Sequence, residues 1–127
     1  MGHAFDGLAG ENYINLETFK KDGAGVKTPV WFVQVDGSLF VYTDGTSYKV
    51  KRLSRNPKAR VAACDMRGKV HGPWLEASAK LVDPGEAEAR VYAALGQKYG
   101  WQWTVGSFFS RLSGAVKRRR VISIQPA

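Results

Sequence analysis

Hydrophobic positions along this chain switch repeatedly between a period of two and a helical period, and the switches divide it into elements. Tyr13, Asn15, Glu17 and Phe19 alternate with Ile14, Leu16 and Thr18, which predicts a half-buried strand of about seven residues ending at Lys20-Lys21-Asp22-Gly23. A second strand starts at Lys27 and runs through Trp31, Val33 and Val35, alternating with Phe32 and Gln34. Asp36-Gly37 marks a hairpin turn, and Leu39 to Thr43 returns as its partner. After Asp44-Gly45 the period lengthens: Thr46 or Ser47 can cap a short helix with Val50 and Leu53 inward and Lys49, Arg52 and Arg55 at helical spacing, until Asn56-Pro57 stops it. Arg60 to Met66 reads as a further strand and Arg67-Gly68-Lys69 as a turn. Val70 to Val82 is the longest strand signal, with Pro73 limiting pairing near its start.

At Asp83-Pro84-Gly85-Glu86 an acid, a proline and a glutamate stand in the order of a capping box, which predicts a helix from Pro84 to about Tyr99. Ala87, Val91, Leu95 and Tyr99 form its apolar stripe and Gly100 its stop. Trp101 to Ser113 carries Trp101, Trp103, Phe108 and Phe109. It fits a second, shorter helix over a barrel end or a dimer seam, or ordinary core aromatics, the commoner role of such residues. Lys117 to Arg120 reads as a solvated basic edge leading into a last strand at Val121, Ile122 and Ile124. Ala4 to Leu8 is short and weakly helical. The expected fold is mainly β with helices: six or so mostly antiparallel strands and two to three helices in a small closed or partly closed barrel, one domain over residues 1–127.

Charge narrows the partners. Nineteen Lys and Arg against eleven Asp and Glu leave +8, which favours an anionic partner: nucleic acid, an acidic membrane surface or a polyanionic small molecule. Cys64 is the one cysteine, among apolar neighbours, so it reads as a small core residue in a reducing, cytoplasmic setting. No stretch approaches the ~18 apolar residues of a membrane span, and no export signal or membrane partner is expected. His3 and His71 are isolated from each other and from Cys64, so neither a metal site nor a Ser-His-Asp arrangement is expected. Glycine-rich nucleotide motifs are likewise absent, so an enzyme built on this chain would need a bound cofactor to carry the reactive atom.

The start of the first helix offers such a cofactor a handle. Free N–H groups and the dipole of a helix N-terminus favour an anion, and the hydroxyls of Thr43, Thr46 or Ser47 and the ammonium of Lys49 can add charge-assisted hydrogen bonds. A solvated basic helix face fits the same spacing, and spacing does not choose between them.

The order strand, Thr43, Ser47-Tyr48-Lys49, helix, Asn56-Pro57, strand resembles the split β-barrel, FMN-binding-like flavoproteins related to pyridoxamine phosphate oxidase. Within them, Thr28-Pro29-Val30-Trp31-Phe32, Lys49-x-Lys51-Arg52 and Gly72-Pro73-Trp74 resemble the deazaflavin branch that uses coenzyme F-420. The resemblance implies that Thr43, Ser47 and Lys49 bind the cofactor phosphate, with Lys51 and Arg52 available to it or to a glutamate tail. It implies that Thr28, Pro29, Val30 and Trp31 line the ring, that Lys27, Tyr48 and Trp74 belong to the site, and that the chain forms a homodimer with cofactor sites at the seam. Tyr48 stands where the oxidase phosphate motif has arginine, and Lys27 is a loose counterpart of the arginine that opens its ring-binding strand, which turns the reading away from the oxidase itself. The implied activity is hydride transfer between C5 of F-420 and a small organic substrate, with FMN as the alternative cofactor. The catalytic residues stay unassigned; Tyr42, Tyr48 and solvent are the candidate proton donors. A barrel that binds single-stranded nucleic acid is the more remote alternative, because Trp31, Phe32, Phe40 and Tyr42 alternate in apolar contexts rather than along an exposed basic face.

Overall fold

A computed structural model gives the fold, describing residues 5–114 and 118–127. His3 and Lys117 lie outside the described residues. Seven strands, β1 (Tyr13–Phe19), β2 (Gly25–Val30), β3 (Val33–Val35), β4 (Ser38–Asp44), β5 (Lys58–Cys64), β6 (Leu75–Leu81) and β7 (Arg119–Pro126), form one antiparallel sheet in the order β2-β1-β5-β6-β7-β4-β3. Three helices accompany it: α1 (Tyr48–Arg55), α2 (Glu86–Tyr99) and α3 (Trp101–Ser113).

The strand order contains its own proof of curvature. β2 and β3 occupy opposite edges of the sheet, yet only Trp31 and Phe32 join them. Three peptide steps reach about 11 Å at most, so the sheet must curl until its edges almost meet. This is the expected split barrel, with one more strand than expected. The run from Lys27 to Val35 breaks because Phe32, 1% exposed, turns into the barrel. Asp36 (φ 52°) and Gly37 (φ 82°) then make the two-residue turn that sets Val35 opposite Ser38.

Inside the barrel, Ile14, Leu16, Phe32, Leu39, Val41, Val61, Ala77, Ala79, Ile122 and Ile124 pack with Leu53 of α1, while Phe5 and Leu8 join the same core around a single 3-10 turn. A second apolar cluster lies outside, where Val91, Leu95 and Tyr99 of α2 meet Val33 and Val121. Burial alternates along β6 as expected, but β1 is buried on both faces, because Asn15 and Glu17 are themselves covered. Val70 makes only an isolated bridge to Cys64, so the long signal from Val70 shrinks to Leu75–Leu81. The capping box does not form: α2 starts at Glu86 after Gly85, with no side chain capping it, and Ala87 at its first turn is exposed. Gly100 does end it, at φ 59°. Cys64 is buried, as expected, and burial pushes its thiol up to about 11.

Candidate functional site

The start of α1 is built by the turn that leaves β4. Asp44 Oδ1 accepts from the Thr46 N–H (2.8 Å) and hydroxyl (2.6 Å), and Asp44 Oδ2 accepts from Arg118 Nε at 3.1 Å. These bonds, the Thr46 hydroxyl first, hold the Asp44 carboxyl down at about 2. They also occupy Thr46, while the Thr43 and Ser47 hydroxyls hydrogen-bond to each other, Oγ1 to Oγ at 3.4 Å. Ser47 is the N-cap, but its side chain bonds no helix N–H, so the first donors of α1 have no side-chain acceptor.

Lys49 follows on the same turn. It is half-buried, and among the described residues no carboxylate pairs with it. Burial lowers the pKa of its ammonium, and the neighbouring charge of Arg52 lowers it further. Arg52 in turn donates from Nε to Thr18 Oγ1 at 2.7 Å, which ties α1 to β1. On the outer side of the helix, Tyr48, Lys51, Arg52, Ser54 and Arg55 line with Lys20 a hollow of about 560 Å³. Four of its six lining residues are cations and none is an acid. Lys20, at the end of β1, is part of its wall.

A second, aromatic hollow of about 280 Å³ lies between Tyr13, Pro29, Val30, Trp31 and Tyr42. Its rigidity comes from α2. Tyr99 stacks on Trp31 with centroids 4.2 Å apart and planes 8° from parallel. The Tyr99 hydroxyl accepts from the Phe32 N–H (3.0 Å) and donates towards Asn12 O (2.7 Å), with Phe32 O at 3.0 Å. Lys98 Nζ donates to the same Phe32 carbonyl at 2.8 Å, and burial takes its ammonium down to about 8. The β2–β3 link is therefore pinned from outside by consecutive residues of one helix end. Sequence reasoning placed Tyr99 on the apolar stripe and missed its hydroxyl; Lys98 was missed altogether. The signal available was the Lys-Tyr-Gly ending of a helix that must face an edge-to-edge strand crossing.

The predicted site residues fall into three groups. Thr43, Ser47, Lys49, Lys51, Arg52 and Tyr48 do gather around α1. Pro29, Val30 and Trp31 line the aromatic hollow, while Thr28 lies one step back on β2, opposite Leu16. Lys27 and Trp74 stand in a third cluster on the outer face, where Lys27 Nζ is 5.2 Å and the Arg60 guanidinium 5.1 Å from the Trp74 ring centroid. Between them Glu17 accepts from Arg60 Nε at 2.6 Å and sits opposite Lys27 in register. Of the two tyrosines considered as proton donors, only Tyr42 borders the aromatic hollow, and burial raises its pKa; Tyr48, the first residue of α1, is 74% exposed. Tyr42 and Thr43 are successive residues of β4 and so point to opposite faces, with Thr43 buried.

A half-barrel with a helix start that lacks a side-chain cap and with an aromatic hollow has the architecture of the split-barrel proteins, a fold family that binds small-molecule ligands. More narrowly, the chain belongs to the pyridoxamine 5'-phosphate oxidase family, whose model matches residues 3–127. No curated protein matches it in sequence. Among solved structures, the conserved hypothetical protein Rv2991 of Mycobacterium tuberculosis is 22% identical with a TM-score of 0.73, over 99% of this chain and 81% of that one. The heme storage protein HutZ of Vibrio cholerae is 17% identical with a TM-score of 0.69, over 93% and 83%. The General Stress Protein 26 of Bacillus anthracis is 18% identical with a TM-score of 0.59, over 94% and 82%. At these identities the likeness is one of fold.

Proposed function

We propose that this chain, as one domain over residues 1–127, is a cytoplasmic F-420-dependent oxidoreductase, or short of turnover an F-420-binding protein. The observation that carries the reading is Lys49: a half-buried cation beside a second cation, at a helix start without a side-chain cap, would be stabilised by an anion that none of the described residues provides. A phosphate fits that place, with Thr43 and Ser47 as hydroxyl donors. The hollow lined by Lys20, Lys51, Arg52 and Arg55 holds more positive charge than one phosphate needs, and it suits the carboxylates of a glutamate tail. That surplus favours F-420 over FMN.

Pro29, Val30, Trp31 and Tyr42 would face the ring, with Thr28, Lys27 and Trp74 behind or beside it. Because Tyr42 and Thr43 point to opposite faces of β4, a second copy of the chain is the natural means of bringing a ring hollow opposite a phosphate cradle, and a homodimer belongs to the proposal. When bound, the deazaflavin supplies the hydride-carrying carbon. The protein orients it, keeps Trp31 fixed through Tyr99 and Lys98, and excludes water with apolar walls. The Tyr42 phenol, whose pKa burial raises, can donate a hydrogen bond into the hollow.

Side-by-side titration of the purified protein with F-420 and FMN at physiological salt, followed by cofactor fluorescence, tests the proposal. Tighter F-420 binding is expected, and Lys49→Ala should weaken it by about 10- to 150-fold, the loss of one charge-assisted contact of about 1.5–3 kcal/mol. An unchanged dissociation constant in that variant overturns the cradle, and preference for FMN overturns the choice of cofactor.

A further inference from the structure

α3 is fastened to the body by the side that meets Tyr42, a wall of the aromatic hollow. Trp103 meets the Tyr42 ring edge-on, with centroids 5.0 Å apart, and lies 5.9 Å from Tyr92. It fits close to Gly96, where a Cβ would stand 3.3 Å from its ring. Arg119, the first residue of β7, lies against both rings: its guanidinium carbon is 5.0 Å from the Tyr42 centroid and 4.8 Å from that of Trp103. Arg119 Nη1 also donates to Ser107 Oγ at 3.3 Å, one turn further along α3. Trp101, Phe108 and Phe109 are 73%, 59% and 62% exposed. The reading of this segment as core aromatics is thereby corrected, since only Trp103 of the four turns inward.

We propose that Arg119 is a positioning residue for Tyr42: held by Trp103 and Ser107 of α3, its guanidinium stabilises the phenolate that Tyr42 becomes on giving a proton to a substrate in the hollow. The inference rests on the reading of the chain as an oxidoreductase with Tyr42 as the donor. A substrate that accepts a hydride from the reduced deazaflavin gains an electron pair, and the atom that takes up this density needs a proton. The Tyr42 O–H bond breaks, the proton goes to that atom, the bonding pair stays on the phenolate oxygen, and solvent then returns a proton to it. Two influences act on this phenol in opposite directions. Burial, the larger, raises its pKa, and the charge of Arg119 lowers it. A cation over a phenol ring is attracted to its face, and more strongly once the ring is a phenolate. The other titratable groups around Tyr42 are phenols: Tyr13, which shares the hollow, and Tyr92 and Tyr99 of α2, both pushed up to about 12 by burial first. Glu88, Arg119 and Arg120 act on Tyr92. Asp44, opposite Arg119 in register, is held by Thr46 and Arg118. Among the described residues Arg119 is thus the charge that moves Tyr42.

Ultraviolet titration of tyrosinate in the full chain, without added cofactor, tests the pairing, with Tyr42 isolated by subtracting the same titration of Tyr42→Phe. Arg119→Gln, treated the same way against its own Tyr42→Phe double variant, should move the Tyr42 midpoint to higher pH, because the phenolate loses its cation. Arg119→Lys, which keeps the charge, should restore it. Ser107→Ala, which unhooks the guanidinium without removing it, should give a smaller shift in the same direction. A midpoint that stays in place in Arg119→Gln, or moves as far in Arg119→Lys, overturns the proposal; where Arg119→Gln does not fold, an unmoved midpoint in Ser107→Ala overturns it. In turnover with F-420, Arg119→Gln should lower kcat at neutral pH about tenfold with KM unchanged, a part of what one general acid contributes. Full kcat beside a shifted midpoint overturns the role in proton transfer. The expected titration in a protein that binds no F-420 supports the pairing and overturns only the choice of cofactor, so the two failures are told apart.

Discussion

Two groups of cations on this half-barrel are built in opposite ways. On the outer face, Lys27 and Arg60 flank Glu17 across neighbouring strands and share the Trp74 ring, so a buried carboxylate and an aromatic face answer both charges. Along α1 stand Lys49, Lys51, Arg52 and Arg55, none of them in an ion pair among the described residues, and Asp44, the acid before the helix start, is already committed to Thr46 and Arg118. The first group serves the fold; the second has no such partner among the described residues, and the proposed cofactor would supply it. Net charge alone treats them alike, and only the position of the carboxylates separates them.

Replacing one cation from each group is the strongest way to break the comparison. Arg60→Leu leaves Glu17, whose side chain is 6% exposed, without its partner, and should cost about 3 kcal/mol in urea denaturation. The figure sits at the low end for a buried pair because Arg60 is one-third open to solvent. Lys49→Ala removes a desolvated cation beside Arg52 and should leave stability unchanged or slightly higher, despite its effect on F-420. Equal losses in the two variants would show that Lys49 is structural and would remove the distinction.

Tyr99→Phe sharpens the contrast at the aromatic hollow. The ring stack on Trp31 survives, but the Phe32 N–H, 67 positions away in sequence, loses its acceptor. A loss of about 1–2 kcal/mol is expected, with the fluorescence of bound F-420 altered through a loosened Trp31. Unchanged stability would mean that water replaces the hydroxyl and that the β2–β3 link needs no pin.

How far the sequence foretold this depended on whether an interaction was local. The Asp36-Gly37 hairpin, the α1 start and the alternation of β6 all rest on neighbouring residues and were legible. The break at Trp31-Phe32 was not, because the alternation runs through it and only closure of the sheet turns Phe32 inward. α3 misled for a related reason. Aromatic density signals burial, but which side of a helix faces the body depends on where α2 delivers it. In the candidate site, the nearness of Thr43, Ser47 and Lys49 at the start of α1 was legible from spacing. The occupation of Thr46 by Asp44 and the clamp from Lys98 and Tyr99 required the folded chain.

Asp44 gives the smallest expected effect, and its sign can be worked out. Its folded pKa of about 2 lies below the ordinary 3.8, so between those values the unfolded chain binds more protons than the folded one, and stability rises with pH. The contribution is complete above about pH 4 and gone below about pH 2. Asp44→Asn should therefore lower the melting temperature by a constant small amount above pH 4, and the gap to the native protein should close as pH falls towards 2. Because the ion pair with Arg118 is open to solvent, 50% and 40% for the two side chains, raising the salt should shrink the gap as well. A gap that persists at pH 2 would show that the Thr46 turn is held by shape rather than by charge. The one acid near the cradle would then not be held there by its ionisation, and the contrast with Glu17 would rest on Lys49 alone.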